Sequence, residues 1–416
     1  MKSMRRAAIA FCGLLVVAGC GRVPGSAAGA DFKLYEASSQ PAQIAVIDSR
    51  THAIVRTLPL GTPSPDWSDL YSISSDTLID TDPGTGTTRH TVKLPGRYQM
   101  PPATLSGLPG GLSQNGRWLA AESFDGSGSL LPTNTHLVVV DTSYMEPLRQ
   151  IDLKGLFSFD AVSNDGRRVY LIEHASPATY RVRLYNIGIG LDPNVVIDKS
   201  DGSLAMTGLR LSGIPSTDGN WLFSLYVREG ASPFIHALSL DGNIAFCIEL
   251  PGSGYSTDAN ALRWSIAMTA DGTKLYAANP ASGVASEVNI GLNSVPSLAR
   301  SAGIYSGKAV SGLLAQDVQA KELGVNAAVV TVNGKTMVVA SDLGIVWIDT
   351  SGLHSGARLL KDWTVSSLAL SPDGSGLWAL SDTGKIAEIS MGSLHVAAAF
   401  DPGARYPLSI MRVEAG

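Results

Sequence analysis

The sequence predicts an all-β fold, a β-propeller of four-stranded antiparallel blades, on the strength of two observations. The first is a recurring turn of the form Ser/Thr-x-Asp/Asn-Gly, each copy of which precedes a short apolar strand. Complete copies begin at Ser113, Ser163, Ser216, Thr269, Thr331 and Ser371, and a copy without its glycine begins at Ser64. The second observation is that helical periodicity is scarce. Only residues 309–323 could form a helix, which we interpret as an insertion between blades.

Each repeat is expected to supply the four strands of one blade. An Asp-Gly or Asn-Gly pair favours a two-residue type I′ hairpin turn, in which both central residues adopt positive φ. The strand after the turn is short and apolar, as in Trp118–Ala121, and the next apolar strand ends in Asp, as in Leu137–Asp141. A third strand usually follows, as in Ala53–Leu58. With the strand before the turn, this makes four strands in about 40–50 residues, which is typical of a propeller blade.

The two ends of the chain are predicted to share one blade. Residues 32–60 contain only three strand-like segments and lack an inner strand, whereas Tyr406–Val413 lies beyond the last complete blade. Pairing the C-terminal segment with the N-terminal blade would close the ring and remove exposed sheet edges. Eight blades are favoured, and seven would result if one degenerate unit were not a blade. The propeller domain is therefore expected to span residues 32–413.

The first 19 residues have the features of a signal peptide. Lys2, Arg5 and Arg6 form a basic start, and residues 7–19 are uncharged and apolar but too short for an ordinary bilayer span. The segment Val17-Ala18-Gly19-Cys20 resembles the lipobox of bacterial lipoproteins, which implies a diacylated Cys20 and an extracytoplasmic protein anchored to the cell membrane or outer membrane. An ordinary secretory signal with a chance cysteine is the alternative. Residues 20–31 are small and unpatterned, and are predicted to be a flexible tether.

Charge and cysteine content exclude several classes of protein. The net charge is −5, and loss of the three basic residues of 1–19 would bring it to −8, which argues against nucleic acid or anionic lipid as a main partner. After processing and lipidation only Cys247 would remain free, within an apolar strand-like run, so no disulfide framework is expected. We interpret Cys247 as a small buried hydrophobe, with a reactive thiol as the alternative.

Two segments carry a family resemblance. The residues Leu34-Tyr35-Glu36, Gln43–Ser49 and Val55–Gly61 resemble the YVTN-type repeat of bacterial β-propellers. The turn Ser371-Pro372-Asp373-Gly374 is similar to that of WD-repeat-like and TolB-like propellers. The resemblance implies the architecture of residues 32–413 but no activity, because such propellers include binding scaffolds, surface proteins and unrelated enzymes.

No local motif for catalysis or cofactor binding is present. The seven histidines include no His-Glu-x-x-His pair, and the sequence has neither a Gly-x-Ser-x-Gly elbow nor a Walker loop. The segment Asp80-Thr81-Asp82-Pro83-Gly84 lacks the later Glu of a calcium loop, so we interpret it as a turn. We therefore predict no cofactor and no metal site, with a structural calcium ion as the only alternative.

Polar residues follow the second strand of each predicted blade. Since these strand ends open on one face of a propeller near its channel, they predict an electronegative rim that could attract a cation, an amine or a basic segment. The candidate rim residues are Glu36, Asp76, Glu122, Glu173, His174, Glu229, Asn279, Asp342 and Asp382. The alternative is that they are ordinary turn-forming, solvated residues.

Two functions are compatible with these features. The first is a membrane-anchored scaffold whose propeller binds a protein, peptide or glycan at the cell envelope, which the lack of a catalytic motif favours. The second is an envelope hydrolase, lyase or oxidoreductase with its active site at the channel mouth, where His174 beside Glu173 would be the starting point. A site assembled from single residues on different blades would leave no local motif.

Overall fold

The computed structural model describes residues 31–103, 107–125, 132–176, 179–196, 206–291, 295–305, 327–341 and 344–416. It confirms the fold class: the described chain forms eight antiparallel sheets arranged as the blades of a β-propeller. The predicted signal peptide, Cys20, the tether up to residue 30 and the predicted helix at 309–323 lie outside the described residues.

The first four blades occupy the N-terminal half of the described chain. Blade 1 contains β1 (Phe32–Ser39), β2 (Ala42–Asp48) and β3 (Ile54–Pro59). Blade 2 contains β4 (Thr62–Pro63), β5 (Leu70–Ser74), β6 (Thr77–Thr81) and β7 (Thr88–Lys93). Blade 3 contains β8 (Trp118–Asp125), β9 (Asn134–Asp141) and β10 (Glu146–Lys154). Blade 4 contains β11 (Phe157–Val162), β12 (Arg168–His174), β13 (Tyr180–Asn186) and β14 (Gly190–Val196).

The other four blades follow in order around the ring. Blade 5 contains β15 (Leu209–Pro215), β16 (Trp221–Val227), β17 (Phe234–Ser239) and β18 (Ala245–Glu249). A short 3-10 helix (Ala259–Arg263) precedes blade 6, which contains β19 (Ser265–Met268), β20 (Lys274–Asn279), β21 (Val284–Asn289) and β22 (Ser297–Gly303). Blade 7 contains β23 (Ala328–Val330), β24 (Thr336–Ser341), β25 (Gly344–Asp349) and β26 (His354–Leu359). Blade 8 contains β27 (Val365–Leu370), β28 (Gly376–Ser381), β29 (Ile386–Ser390) and β30 (His395–Phe400), and the last strand is β31 (Pro407–Ala415).

The last strand closes the ring, as the sequence predicts. Strand β31 pairs antiparallel with β1, so blade 1 has the order β3-β2-β1-β31. The pairing extends to the chain end, where the Gly416 amide donates a hydrogen bond to the Asp31 carbonyl (2.6 Å). Ile410 and Val413 are buried in the core between blades 1 and 8. Both ends of the described chain therefore belong to one sheet.

The conformation of the repeated turns differs from the prediction. The glycines have φ near +70°, for example +69° at Gly166, but the preceding Asp or Asn is not among the residues with positive φ. The turn is therefore not type I′. Instead, the Asp165 carboxylate accepts hydrogen bonds from the Ser163 hydroxyl (2.5 Å) and the Arg167 amide (3.0 Å), and the Gly166 amide donates to the Ser163 carbonyl (2.9 Å). Because these side-chain bonds hold the turn, Asp or Asn is favoured there as an acceptor.

Blade 3 differs from the other seven, because only three of its strands form a continuous ladder. Its inner position is occupied by an irregular segment that contacts β8 through two isolated bridges, Gln99 with Glu122 and Leu112 with Leu119. The segment contains Pro101, Pro102 and Pro109, which lack the amide hydrogen that a continuous ladder needs. This irregular segment reaches the central channel and shapes the site described below.

Candidate functional site

The predicted rim residues occupy different kinds of position in the blades. Asp76 and Asp382 lie in the turns that follow the second strands of blades 2 and 8, and Glu229 is exposed in the loop after β16. Asp76 pairs with Lys93 (2.6 Å), which holds the pKa of its carboxyl below the usual range. Asp342 lies outside the described residues. A shared electronegative rim stays a prediction.

Three further rim residues lie at the ends of second strands, each with partners of its own. Glu173 pairs with Arg183 (2.6 Å), and the ring of His174 is hydrogen-bonded to the Ser158 hydroxyl (3.0 Å). Burial lowers the pKa of His174, so its neutral form is favoured. The Asn279 side chain is buried and donates to the Asn260 carbonyl (2.7 Å). Glu173 and His174 are successive strand residues, whose side chains leave opposite faces of a sheet.

The last two, Glu36 and Glu122, are buried inside second strands rather than exposed at their ends. Each is the fifth residue of its strand, in β1 and β8 respectively. The carboxylate of Glu122 accepts a hydrogen bond from the Phe159 amide (3.2 Å) of the next blade. Both carboxyl oxygens of Glu36 are buried without a hydrogen-bond partner among the described residues, and burial raises its pKa to about 8. These two side chains are therefore part of the packed interior.

The channel contains a pocket that the sequence did not point to. Its volume is about 310 Å³. The inner strands β4, β11 and β15 and the irregular inner segment of blade 3 supply most of its lining, so four blades contribute. The apolar part of the lining includes Pro102, Pro109, Leu112, Phe159, Val162 and Leu240. Its charged part is one pair, Asp160 and Arg210.

The Asp160–Arg210 pair lies in the wall of the pocket, with Asp160 buried and Arg210 partly exposed. An Arg210 guanidinium nitrogen lies 2.7 Å from the Asp160 carboxylate, whose side chain is only 2% exposed. Burial raises the pKa of Asp160, and the charge of Arg210 opposes that rise. Removal of Arg210 would leave the buried carboxylate of Asp160 without a compensating charge, which destabilises the folded protein.

A β-bulge places Asp160 at this position. The ladder between β11 and β12 shifts between Phe159 and Ala161, so Asp160 is the extra residue, and a bulge of this kind redirects a side chain. Tyr226, stacked on Tyr180 at 5.7 Å between ring centroids, contributes to the electrostatic surroundings of the pair. Two sequence features could have indicated this site: Asp160 is the one charged residue in the apolar run Phe157–Val162, and Arg210 follows it one repeat later.

The described residues give no indication of a metal site or a membrane-crossing helix. No group of three or more His, Cys, Asp or Glu side chains among them is placed to bind a metal ion. In the described parts of the chain, no helix has the length and apolar character needed to cross a bilayer. The partly buried Cys247 packs against the core between blades 4 and 5.

Comparisons with known proteins support the architecture. No protein-family model and no curated protein matches the sequence. The chain is similar to the solved structure of dihydro-heme d1 dehydrogenase NirN in complex with DHE, with a TM-score of 0.54 and 14% identity over 92% of this chain and 75% of that chain. It is also similar to the periplasmic gluconolactonase PpgL of Pseudomonas aeruginosa, with a TM-score of 0.45 and 14% identity over 93% of this chain and 99% of that chain. At 14% identity the similarity to NirN concerns the fold alone.

Proposed function

We propose that this protein is a lipid-anchored, extracytoplasmic β-propeller that binds a short peptide segment of a partner protein in its channel pocket. The observation that carries the proposal is the pocket of about 310 Å³ on four blades, with one ion pair, whose carboxylate is buried, in an otherwise mainly apolar lining. Binding pockets commonly combine apolar walls with a few well-placed polar groups.

The composition of the lining favours a peptide over a glycan. Proline, leucine, phenylalanine and valine side chains would offer few partners to the hydroxyl groups of a sugar. A peptide can instead bury an apolar side chain and direct its backbone amides and carbonyls to the few polar groups, among them Gln114 and the Asp160–Arg210 pair. We also propose that the chain is related to YVTN-type and TolB-like propellers, on the basis of the similar segments 34–36, 43–49, 55–61 and 371–374.

The lipid anchor rests on the sequence around Cys20. A basic start, a short apolar run and a cysteine after small residues support processing and diacylation. Metabolic labelling with an alkyne-bearing fatty acid should mark the wild-type chain and not the Cys20→Ser variant, which should also leave the detergent phase. Equal labelling of the two proteins would contradict the anchor without affecting the pocket.

Site-specific photo-crosslinking tests the pocket. A benzoylphenylalanine at Leu112, in the pocket lining, should capture a defined partner in cell envelopes, whereas the same group at the exposed Ala397 of β30 should not. Filling the pocket by Ala103→Trp should reduce capture at least ~10-fold, and Ala397→Trp serves as the matched control. Equal capture from both positions, or capture unaffected by Ala103→Trp in a folded variant, would overturn the proposal.

An envelope enzyme is the second candidate, supported by one observation. Asp160 lines the pocket with a raised pKa, a property that suits a general acid. The fate of the captured ligand separates the two candidates: a scaffold would leave it intact, whereas an enzyme would convert it and Asp160→Asn would stop the conversion. The DHE of the NirN complex is not carried over, because the described lining includes no His, Met, Cys or Tyr to ligate a haem iron.

A further inference from the structure

We infer that the channel pocket binds the C-terminal carboxylate of its partner through Arg210, an assignment that rests on the peptide binding proposed above. The last side chain of the peptide would then pack against the apolar walls. The pocket volume of about 310 Å³ lies near the lower end of the range for ligand pockets, roughly 300–1,000 Å³. Such a space suits the end of a chain better than a segment that passes through it.

The charged group that a ligand meets in this pocket is the guanidinium of Arg210. The Arg210 side chain is 22% exposed, whereas that of its partner Asp160 is only 2% exposed. Among the described residues of the lining, no other side chain is charged. A ligand therefore contacts a cation whose counter-ion is almost completely buried. A carboxylate complements a guanidinium in both charge and planar geometry.

Asp160 uses only part of the hydrogen-bonding capacity of this guanidinium. Its Oδ1 accepts a hydrogen bond from Nη1 of Arg210 (2.7 Å), whereas a guanidinium carries five N–H donors. Nε of Arg210 is buried without a hydrogen-bond partner in the described part of the chain, so a ligand cannot reach it directly. The remaining N–H groups of Nη1 and Nη2 suit the two oxygens of one carboxylate.

Gly213 leaves the space that the guanidinium occupies. A Cβ at this position would lie 2.5 Å from Nη2 of Arg210, so any larger residue would displace that nitrogen. Both residues line the pocket and belong to β15, where the ladder to β16 shifts between Arg210 and Ser212. The shift and the missing side chain together set where the guanidinium lies. Gly213 is therefore a positioning residue for Arg210.

The rest of the lining suits an apolar side chain beside the carboxylate. Pro102 and Pro109 pair with each other in an isolated bridge, and both line the pocket. Proline has no amide hydrogen, and the Thr62 hydroxyl already donates to the Gly110 carbonyl (2.8 Å). These walls therefore supply apolar surface and compete little with Arg210 for the carboxylate.

Two randomised hexapeptide libraries test the assignment on the full chain in detergent. One library ends in free carboxylates, and the other is identical except that it ends in carboxamides. Peptides with an apolar last residue should be enriched from the acid library. In calorimetric titrations the amide form of each enriched peptide should bind at least ~10-fold more weakly, because the charge-assisted hydrogen bonds to the guanidinium are lost.

Matched variants test the two residues that form the carboxylate site. Arg210→Lys should weaken binding of an enriched acid peptide at least ~10-fold, because an ammonium group lacks the planar fork, whereas Arg50→Lys at an exposed site should not. Gly213→Ala should also weaken binding, and Gly356→Ala, where a Cβ meets open space, is its control. Asp160→Asn should tighten binding by ~3-fold or more, because the Asp160 carboxylate repels that of the ligand.

The outcomes separate this assignment from the peptide binding on which it rests. Equal affinity of the acid and amide forms, with both blocked by Ala103→Trp, would overturn the carboxylate site but leave peptide binding in the pocket intact. Amidated peptides that bind through an Asp or Glu side chain would contradict recognition of the chain end. Unchanged affinity in folded Arg210→Lys and Gly213→Ala variants would overturn the roles of these residues. No enrichment from either library would overturn both proposals.

Discussion

Blades 1 and 3 both bury a glutamate at the fifth residue of the second strand, but they treat it differently. In blade 3, Glu122 accepts a hydrogen bond from the Phe159 amide, and the Gln99 side chain also favours its ionised form. In blade 1, Glu36 faces Ile410 and Ala45 across the ladder, and its carboxyl oxygens have no hydrogen-bond partner among the described residues. The two carboxyl groups occupy equivalent strand positions in unlike surroundings.

The difference follows from what occupies the inner position of each blade. Blade 1 receives β31, which pairs with β1 along its whole length, with register shifts on either side of Glu36 and Ala37, and places Ile410 opposite the glutamate. In blade 3 the inner position is held by an irregular, proline-rich segment that pairs with β8 only at isolated bridges. This segment supplies the side-chain amide of Gln99 and one wall of the channel pocket. The continuous ladder of blade 1 contributes stability, whereas the interrupted pairing in blade 3 leaves room for a ligand.

Removing the closing strand should have the largest effect. Deletion of 407–416 exposes the β1 edge and removes the buried Ile410 and Val413, each of which contributes about 1.5–3 kcal/mol. We expect the free energy of unfolding to fall by more than ~5 kcal/mol or folding to fail, as measured by thermal and chemical denaturation. Deletion of Gly416 alone is the control, and an unchanged melting temperature on the longer deletion would contradict the role of β31.

The next largest effect should be the pH dependence that Glu36 causes. Because the pKa of Glu36 is raised from 4.5 to about 8 in the folded protein, the folded state holds this proton more tightly than the unfolded state. Its contribution is complete below about pH 4.5 and is lost as the pH rises to about 8, by up to roughly 5 kcal/mol. Glu36→Gln should abolish this loss, as chemical denaturation at pH 5 and pH 8 would measure.

Glu122→Gln is the matched variant in blade 3. Burial raises the pKa of Glu122, but the Phe159 amide and the Gln99 side chain oppose the rise. The substitution should therefore change the pH dependence less than Glu36→Gln does. An equal or larger change would show that the hydrogen-bond donors of blade 3 do not distinguish the two sites.

Substitution of Gly166 tests how much the packing of blade 3 against blade 4 contributes to stability. Gly166 has φ +69° and lies under the Trp118 ring, whereas Gly188 has φ +89° and open space around its Cβ position. Both changes to alanine carry the strain of positive φ, about 1 kcal/mol, but Gly166→Ala must also displace the ring at a further cost of ~1–3 kcal/mol. Urea denaturation measures the free energy of unfolding of the two variants, and equal losses would show that the contact with the Trp118 ring is unimportant.

The smallest effect should come from the outer surface of blade 3. His136 lies between Asp152 (2.6 Å) and Asp125 (2.9 Å), and these carboxylates raise its pKa. The resulting stability is present below the unfolded pKa of His and is lost as the pH rises through the folded pKa; we expect less than ~1 kcal/mol. Asp152→Asn should lower the pKa of His136 in an NMR titration, and Asp362→Asn should leave it unchanged.

The architecture was predictable because it repeats. Seven turns with an acceptor at the third position, each followed by an apolar strand, indicate the blades, and the orphan segment Tyr406–Val413 indicates the closure. The prediction of a type I′ turn was wrong, because the Asp or Asn stabilises the turn through its side chain and does not adopt positive φ. The residues of the channel pocket were not found, because they lie on separate blades and depend on a bulge at Asp160.

The sequence by itself determined that the chain forms a closed ring of antiparallel blades, because strand alternation and turn residues act over a few neighbours and recur in every repeat. Only the tertiary structure decided which acidic side chains are buried, paired or left with a free oxygen. That outcome depends on what the neighbouring strand or blade presents: an amide at Glu122, an aliphatic side chain at Glu36, and an open cleft at Asp80. Such contacts join residues that are tens to hundreds of positions apart, and no local pattern encodes them.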